Sequence, residues 1–375
     1  MLNAIQTVHG SGKLENSKNP KPFHRHIVAV GDLHGDMANA RRVLEFSGVT
    51  DKNGEWSGKA DFFVQTGDII DRGDDTIELF RWMDQLRAQA AAVGGTVLSN
   101  LGNHEWMNAI GIYVYPTEIE TLGGVEARQN VISTGWIGRS WAANYTTATR
   151  LPLHPAIGPP NTPYPPKTAA FIDQNEPDTG FHIDDHHPLS HAAISFVHGG
   201  LSPSYSNLAP FPSRINELGN SLLRKLQERE QPPPHPPNPY PGLPASATME
   251  EHELYSSNGP LWYRGWAIAT EDKVCRSVDE VLKKTGTRRM IMGHTPHFEN
   301  IKSRCDGKII IIDTGISHAY GGVLSALDIH YSLTPVVGAN GVEKWVEEEC
   351  VRALYPDHQE VIAHDTREVR VQFSH

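Results

Sequence analysis

The sequence predicts an α/β fold with polar motifs at the ends of its strands. Strands and amphipathic helices alternate over the first hundred residues, and each of the first three strands stops at a polar motif that contains glycine. This order implies right-handed crossovers and neighbouring strands that are largely parallel. In such sheets ligands bind outside the carboxyl ends of the strands, where the three motifs lie.

The spacing of apolar residues predicts the elements of the front part of the chain. A β-branched run forms the first strand at residues 26–30, and helical spacing follows at residues 36–47. A second strand spans residues 61–65, with Phe-Phe-Val inside it. Residues 74–92 carry the clearest amphipathic pattern, and a third strand at residues 96–99 completes the β-α-β-α-β order.

The predicted elements of the later part are more widely spaced. Buried-type strands at residues 192–197 and 289–292 each precede a histidine motif, and an amphipathic helix is predicted at 214–229 between them. Residues 308–312 and 323–329 are spaced like paired strands.

A length of 375 residues suits one large domain or two ordinary ones. We expect a flexible leader at residues 1–24 and one main domain at 25–335, which carries every motif described below. Proline-rich stretches at about 151–191 and 231–250 are expected to be surface insertions in that domain. Residues 336–375 are expected to add edge strands to it.

The charge balance restricts the classes of partner. The chain has 44 acidic and 33 basic residues, and this formal net charge of -11 argues against a general nucleic-acid binder. An anionic phosphate substrate remains compatible, because metal ions and arginines can make one pocket locally positive. No apolar run is long enough to span a membrane.

Three cysteines, Cys275, Cys305 and Cys350, are too few for a disulfide framework, so we expect reduced structural thiols. The amino-terminal residues lack the apolar core of a signal peptide. These features favour a cytoplasmic location. A secretory or mitochondrial location would require a leader that precedes this sequence.

Six short motifs in one order combine metal ligands, phosphate anchors or acids with glycine. They are Gly31–Asp36, Gly67–Gly73, Gly102–Glu105, His198–Gly200, Trp262–Gly265 and Gly293–Thr295. Any one aspartate could be a turn residue, and any one histidine could be a core residue with satisfied hydrogen bonds. Six such motifs in order are hard to obtain by chance, so we interpret them together as one site.

The residue types favour a two-metal centre that hydrolyses phosphate esters. Two metals clamp the phosphoryl oxygens and lower the pKa of a bridging water, which needs a carboxylate that reaches both ions. Asp68 is the natural bridge. The full set of candidate ligands is Asp32, His34, Asp68, Asn103, His198 and His294. We therefore expect direct attack of a metal-bridging hydroxide on the phosphorus.

Four further residues are candidates for acid catalysis and phosphate binding. His104 is expected to protonate the leaving oxygen, with Asp71 as the carboxylate that holds its imidazolium. Arg72 and Arg264 match the geometry of phosphate oxygens, although Arg264 could instead form an ordinary salt bridge. Glu105 is expected to pair with backbone groups.

With these motifs the chain resembles the phosphoprotein phosphatase family of calcineurin-like metallophosphoesterases. Asp36 stands where the classical eukaryotic enzymes commonly have glutamine, and Trp262–Gly265 and His198–Leu201 look like the bacterial-like branch, above all the Shewanella-like protein phosphatases. The resemblance implies a central β-sandwich of two mixed sheets flanked by helices, and two ions of Mn, Fe or Zn. It also implies the ligand, acid and phosphate-binding roles given above. Asp313–His318 departs from the pattern, because it lacks a tyrosine of the eukaryotic serine/threonine enzymes, so we expect a differently shaped pocket rim.

The resulting functional prediction is a phosphoprotein phosphatase that acts on a phosphorylated protein or peptide. Specificity for serine and threonine or for tyrosine stays open, because the motifs contact phosphate and metal only. One alternative is a small-molecule phosphohydrolase, such as a dinucleoside-polyphosphate hydrolase. Another is an inactive scaffold that binds phosphorylated partners. The proline-rich loops are a further candidate surface for partner binding.

Overall fold

The structure, a computed structural model, describes residues 21–113, 118, 122–166, 187–338 and 341–370. The predicted leader lies almost wholly outside these residues, as does the middle of the first proline-rich stretch. Among the described residues no helix is both long enough and apolar enough to cross a membrane.

Within these residues the chain forms twelve strands and nine α-helices. The strands are β1 (Phe23–Val30), β2 (Phe62–Gln65), β3 (Thr96–Asn100), β4 (Tyr145–Thr146), β5 (Ala148–Pro152), β6 (Ala193–Val197), β7 (Arg289–Met292), β8 (Lys302–Arg304), β9 (Ile309–Ile311), β10 (Ala326–Gly338), β11 (Gly341–Leu354) and β12 (Gln359–Val369). The helices are α1 (Met37–Phe46), α2 (Thr76–Ala92), α3 (Asn103–Ile110), α4 (Val125–Ser133), α5 (Trp136–Asn144), α6 (Ser213–Glu228), α7 (Met249–Leu254), α8 (Gly265–Ile268) and α9 (Glu271–Thr285).

The strands form two mixed sheets. The seven-stranded sheet has the order β12-β11-β10-β1-β2-β3-β4, and the five-stranded sheet has the order β5-β6-β7-β9-β8. Strands β1, β2 and β3 are parallel neighbours, as predicted, and β6, β7 and β9 are parallel in the second sheet. The predicted fold class is confirmed.

Alternating side chains of β1 show how the layers pack. Ile27 and Ala29 are fully buried with Ile291 in the apolar cluster between the two sheets. Val28 and Val30 point to the opposite face, where they are buried in the cluster that contains α1 and α2. Successive residues of a strand face opposite sides, so β1 holds the sheets together on one face and the helices on the other.

The parallel strands bring their carboxyl ends to one edge of the sandwich. The loops after β1, β2 and β3 leave the first sheet there, and those after β6, β7 and β9 leave the second. Polar residues at these six strand ends can therefore meet, although they come from distant parts of the sequence.

Three helices between β3 and β4 are missing from the sequence prediction. The first of them, α3, buries four polar side chains: Asn103, His104, Glu105 and Asn108. Its sequence therefore lacks the apolar stripe on which a helix prediction depends.

Two strands extend beyond their predicted bounds. β1 begins at Phe23 rather than residue 26, since Phe23 pairs with Leu333 of β10. β10 continues to Gly338 rather than ending at residue 329, because it pairs with β1 on one side and β11 on the other. Pairing between distant strands is not visible in local spacing.

The expectation of three reduced thiols is wrong for two of them. Cys275 of α9 and Cys305 after β8 form a disulfide, with Cα atoms 5.3 Å apart, while Cys350 is free. Glu271 of α9 accepts hydrogen bonds from Arg304 Nε at 2.7 Å and Cys305 N at 2.8 Å. These bonds place the turn against the helix, which a separation of 30 residues does not reveal.

We predict that Cys275→Ser lowers the free energy of unfolding by about 2–4 kcal/mol, because the disulfide restricts the unfolded chain. Chemical denaturation with and without reductant measures this. Cys350→Ser is the control and should have a much smaller effect. An unfolding midpoint of the wild-type protein that is the same with and without reductant would contradict the prediction.

Candidate active site

The backbone is strained where the predicted site residues lie. Five of them are non-glycine residues with positive φ: His34 at 43°, Asp68 at 56°, Asp71 at 72°, Arg72 at 71° and His294 at 68°. This conformation is uncommon outside glycine and costs about 1–3 kcal/mol per residue, so it persists where the surroundings impose it. Among the described residues nine non-glycine residues have positive φ, and these five of them lie together at this edge of the sandwich, which points to a functional region.

Asp68, after β2, lies between two imidazoles. Its Oδ2 is 3.6 Å from Nε2 of His34, after β1, and 3.3 Å from Nε2 of His198, after β6. Its Oδ1 accepts a hydrogen bond from the backbone N–H of His104 at 2.9 Å. One carboxylate therefore reaches residues of both sheets, which a bridging ligand would have to do, and the bridging role itself stays a prediction.

The ring of His34 presents a lone pair to carboxylates. Its Nδ1 lies 3.0 Å from the carbonyl oxygen of Ile70 and must donate, because a carbonyl can only accept. In a neutral ring Nε2 is then an acceptor, and it faces Asp68 and, at 3.9 Å, Asp32. Burial lowers the pKa of His34 to about 3. The ring is therefore not expected to gain a second proton, which would offset the repulsion between its Nε2 lone pair and the carboxylate oxygens.

The ring of His198 repeats this arrangement in the second sheet. Its Nδ1 lies 3.1 Å from the carbonyl oxygen of Thr66, and its Nε2 lies 2.7 Å from Oδ1 of Asn103. Nε2 of His294 is buried and has no hydrogen-bond partner within the described part of the chain, and burial is the main cause that lowers the pKa of this ring. Histidines that hold a metal commonly donate their other ring N–H to a backbone carbonyl, as His34 and His198 do.

Three buried acidic groups meet at the same point. Burial, and then the carboxylates of Asp313 and Asp68, raise the pKa of Asp32 well above its ordinary value. Burial raises the pKa of Asp313 to about 6. Asp313 follows β9 and was not predicted as a site residue, although its position after an isoleucine-rich strand matches that of the predicted ligands. Adjacent carboxylates in a buried site disfavour each other's charged form, and a cation between them would relieve that repulsion.

The donor set fits a pair of metal ions. Asp68 belongs to two groups whose candidate ligand atoms all lie within 4.8 Å of one another, one with His34 and His104 and one with His198 and His294. Carboxylate, amide and imidazole donors are typical ligands of manganese, iron and zinc. A bound cation would offset the repulsion between hydrogen-bond acceptors that face one another in this buried cluster.

Two glycines keep the candidate ligands in place. A Cβ atom on Gly102 would lie 2.1 Å from Oδ1 of Asp68, and one on Gly293 would lie 2.3 Å from Oδ1 of Asp32. Any side chain at either position would push a carboxylate away from the centre.

Glu105 holds the loop that presents Asp68. Its Oε2 accepts hydrogen bonds from the backbone N–H groups of Asp68 at 2.8 Å and Gly102 at 2.7 Å. Its Oε1 accepts from those of Ile69 at 2.8 Å and Ile70 at 3.2 Å. The prediction that Glu105 pairs with backbone groups is confirmed.

His104 and Asp71 form a pair at the mouth of the cluster. Nδ1 of His104 lies 2.9 Å from Oδ2 of Asp71, and Nε2 lies 4.0 Å from Oδ2 of Asp68. Burial alone would lower the pKa of His104, but the Asp68 carboxylate and the hydrogen bond to Asp71 raise it above its ordinary value. Both interactions favour the charged imidazolium over the neutral ring.

Asp71 is itself held by two residues that the sequence analysis missed. Nη2 of Arg128 in α4 donates to Oδ1 at 2.9 Å, and Nδ2 of Asn108 in α3 donates to Oδ2 at 2.8 Å. Arg128 is fully buried. It lies 57 residues after Asp71, in a helix that has no motif, so no local signal indicates it.

The two residues predicted to bind phosphate, Arg72 and Arg264, are held by different contacts. The guanidinium of Arg72 lies over the ring of Tyr320, with Cζ 4.5 Å from the ring centroid. Nη1 of Arg264 donates to the carbonyl oxygen of His294 at 2.7 Å and to Oγ1 of Thr295 at 3.0 Å. These acceptors are not carboxylates, which argues against an ordinary salt bridge for Arg264.

Tyr320 is a fourth residue that the sequence analysis missed as a site residue. Its ring centroid lies 5.3 Å from that of His34. The segment Asp313–His318 lacks the expected tyrosine, yet an aromatic ring reaches the site from just beyond it.

The sequence matches the calcineurin-like phosphoesterase family over residues 25–298. The chain belongs to this family. It is 26% identical to Shewanella-like protein phosphatase 2 of Arabidopsis thaliana, over 78% of this chain and 71% of that protein. It is 34% identical to an uncharacterised protein of Schizosaccharomyces pombe, over 81% of this chain and 76% of that protein. The predicted resemblance and the predicted enzyme class, a phosphoric monoester hydrolase, are confirmed.

A solved structure supports the fold. The cold-active protein tyrosine phosphatase of a psychrophilic Shewanella species superposes with a TM-score of 0.54 at 21% identity, over 90% of this chain and 80% of that chain. A mutant of a cold-active protein tyrosine phosphatase gives a TM-score of 0.60 at 20% identity, with the same coverage of both chains. At this identity the likeness shows a shared fold.

We predict that Asp68→Asn removes bound metal, because it takes the charge from the one carboxylate that reaches both imidazoles. Elemental analysis of the wild-type protein should give about two transition-metal equivalents. Asp279→Asn, which changes an exposed carboxylate paired with Lys308, is the matched control and should keep both. Full metal content in Asp68→Asn would contradict the bridging role.

Proposed function

We propose that the chain is a metal-dependent phosphoprotein phosphatase, which hydrolyses phosphomonoesters on proteins or peptides. The observation that carries this proposal is the Asp68 carboxylate between the lone pairs of two buried imidazoles. Relatives named as protein phosphatases favour a protein substrate over a small molecule.

Two ions of manganese, iron or zinc would supply Lewis acidity and lower the pKa of the attacking water. The residues proposed to hold them are Asp32, His34, Asp68, Asn103, His198 and His294. Asp313 lies beside Asp32 and adds negative charge to that end of the cluster.

Arg72 and Arg264 are proposed to hold the phosphoryl group. A planar guanidinium can pair with two phosphate oxygens at once. The Tyr320 ring supports Arg72, while the His294 carbonyl and the Thr295 hydroxyl support Arg264. Both anchors are thus oriented before a substrate binds, which reduces the entropy lost on binding.

His104 is proposed to protonate the leaving group. As the water oxygen bonds to phosphorus, the bond from phosphorus to the ester oxygen breaks, and the proton on Nε2 of His104 goes to that oxygen. Asp71 holds Nδ1 of the ring, and Arg128 and Asn108 hold Asp71. This network fixes the direction in which Nε2 points.

The functional alternatives are separated by one set of assays. The metal-loaded protein is given matched phosphotyrosine, phosphothreonine and phosphoserine peptides and a dinucleoside tetraphosphate. Preferred turnover of phosphopeptides supports the proposal, and the ratio among them defines residue specificity. Preferred turnover of the dinucleotide would favour a small-molecule phosphohydrolase, and binding without any turnover would favour a scaffold.

We predict that Arg72→Ala and Arg264→Ala each weaken inhibition by inorganic phosphate. The loss of one charge-assisted contact costs about 1.5–3 kcal/mol, or roughly 10–150-fold in the inhibition constant. Metal content should stay at the wild-type level. Arg276→Ala, which changes an exposed arginine of α9, is the control. An unchanged inhibition constant in Arg264→Ala would indicate that the Trp262–Gly265 motif has a structural role and does not bind phosphate.

We predict that His104→Asn slows hydrolysis of a phosphopeptide by about 10²–10⁴-fold. Nitrophenyl phosphate should lose less, because its leaving group needs little protonation. Equal losses on both substrates would exclude His104 as the acid.

Arg128→Met should show the same dependence on leaving group, because Asp71 would lose a partner that orients it. Arg150→Met is the matched control. Arg150 is also fully buried, but it donates to the carbonyl oxygens of Gly286 and Ser190 away from the site. If Arg150→Met showed the same dependence on the leaving group, general destabilisation would explain the effect of Arg128→Met.

A further inference from the structure

Two groups of possible metal ligands lie outside the candidate active site among the described residues. One contains Cys275 and Cys305, whose sulfur atoms are joined in a disulfide and are therefore not available to a metal. The other consists of His26, Asp328 and His330, here called the β1–β10 cluster. The proposed function uses none of these three residues, so the cluster needs an explanation of its own.

Strand pairing places the three side chains of the β1–β10 cluster on one face of the sheet. His26 of β1 lies directly opposite His330 of β10. Asp328 is two residues before His330 on the same strand, so its side chain points to the same face. The two imidazole rings are stacked, with centroids 4.2 Å apart. The pairing of β1 with β10 thus brings together His26 and Asp328, which are 302 residues apart in sequence.

Both imidazoles face the carboxylate of Asp328. Nε2 of His26 lies 2.6 Å from Oδ1, and Nε2 of His330 lies 3.3 Å from Oδ2. The three candidate ligand atoms all lie within 4.8 Å of one another. Asp328 is buried, whereas the side chain of His330 is 47% exposed. The cluster is therefore fixed on its inner side and open to solvent on its outer side.

Two further contacts fix the direction of these donors. Nδ1 of His26 lies 2.9 Å from the carbonyl oxygen of Lys59 and must donate to it, so Nε2 of the neutral ring carries a lone pair. Nε and Nη2 of Arg352 donate to Oδ2 of Asp328 at 3.0 and 2.9 Å. An imidazole whose other N–H binds a carbonyl, and a carboxylate that is itself hydrogen-bonded, are typical of metal ligands with their outer contacts in place.

A proton competes for the same position. Burial alone would lower the pKa of His26, but the hydrogen bonds with Asp328 and with the carbonyl of Lys59 raise it above its ordinary value. Burial is the main cause that lowers the pKa of His330, so this ring is neutral at pH 7. A charged His26 would explain its own contact with Asp328. The second, neutral imidazole is a further nitrogen donor that a simple ion pair does not need.

The spacing and the donor types suit zinc and similar ions. Ligand atoms at about 2.0–2.2 Å from a tetrahedral zinc ion lie roughly 3.3–3.6 Å apart. The contact of His330 with Asp328 has this spacing, and that of His26 with Asp328 would have to open by about 1 Å or less. An adjoining cavity of about 340 Å³, lined in part by His24 and Glu348, has room for water as a further ligand. Two imidazoles favour zinc, copper or nickel over magnesium or calcium, which prefer oxygen ligands.

We propose that the β1–β10 cluster is a further metal site, which binds one divalent ion of the zinc class through His26, His330 and Asp328. The site is separate from the candidate active site, because Asp32 follows His26 by six residues, or about 20 Å of extended strand. The bound ion would join β1 to β10 and so stabilise the strand that leads to Asp32 and His34. Its role is structural, and the inference does not depend on the proposed function.

The test is the zinc content of the full chain after dialysis against one zinc concentration. His26→Gln and His330→Gln should each hold one equivalent less than the wild-type protein, whatever number the candidate active site holds. Each change should weaken zinc binding at this site at least about 100-fold, because loss of an outer contact alone costs about 10–100-fold. Excess magnesium or calcium should not displace this zinc. Both variants should hydrolyse a phosphopeptide at the wild-type rate, and zinc should raise their unfolding midpoint less than that of the wild-type protein.

His358→Gln is the matched control. The ring of His358 also faces carboxylates, with Nδ1 2.7 Å from Asp357 and Nε2 3.5 Å from Glu360, but it belongs to no such group of three within the described part of the chain. It should keep the wild-type zinc content. Equal zinc in the wild-type protein, His26→Gln and His330→Gln would overturn the metal site and leave the cluster as an ion pair. Equal loss in His358→Gln would show non-specific binding to exposed histidines and would also overturn it. Neither outcome affects the proposed function, which absence of phosphopeptide hydrolysis would overturn by itself.

Discussion

The rest of the structure depends on one constraint, which is the repulsion between lone pairs that face one another in the candidate site. Around Asp68, imidazole lone pairs and carboxylate oxygens of buried side chains are turned towards a common centre. Such an arrangement is unfavourable in a buried site unless positive charge is added. The geometry therefore fits a centre in which bound cations would relieve this repulsion and also supply the chemistry of the proposed reaction.

The backbone around this centre is held by polar groups rather than by apolar packing. Glu105 gathers four backbone N–H groups from two loops, and the turns that carry Asp68 and Asp71 have conformations unusual for their residue types. Hydrogen bonds at fixed distances resist rotation better than apolar contacts do, because they are directional. Residues from both sheets can in this way be held in fixed positions relative to one another.

The sequence indicates the parts of the site that lie in short motifs and misses the parts that depend on distant packing. Asp68 and His294 stand beside glycines after buried strands, and local spacing is enough to find them. Arg128 and Tyr320 reach the site from segments that have no such signature. The pairing of Cys275 with Cys305 likewise depends on how a helix and a turn dock. Parallel strand order could be predicted because alternation with helices leaves few other topologies.

Helix α3 sets the distance between the proposed acid and the second proline-rich stretch. His104 lies in its first turn, the backbone of His235 pairs with Gly111 and Tyr113 just beyond its last turn, and eight residues of helix span about 12 Å. One added residue would turn that attachment by about 100° and move it out of line. The proline-rich stretch, by contrast, supplies none of the proposed metal ligands. Its sequence can therefore change while the acid and the metal ligands keep their positions.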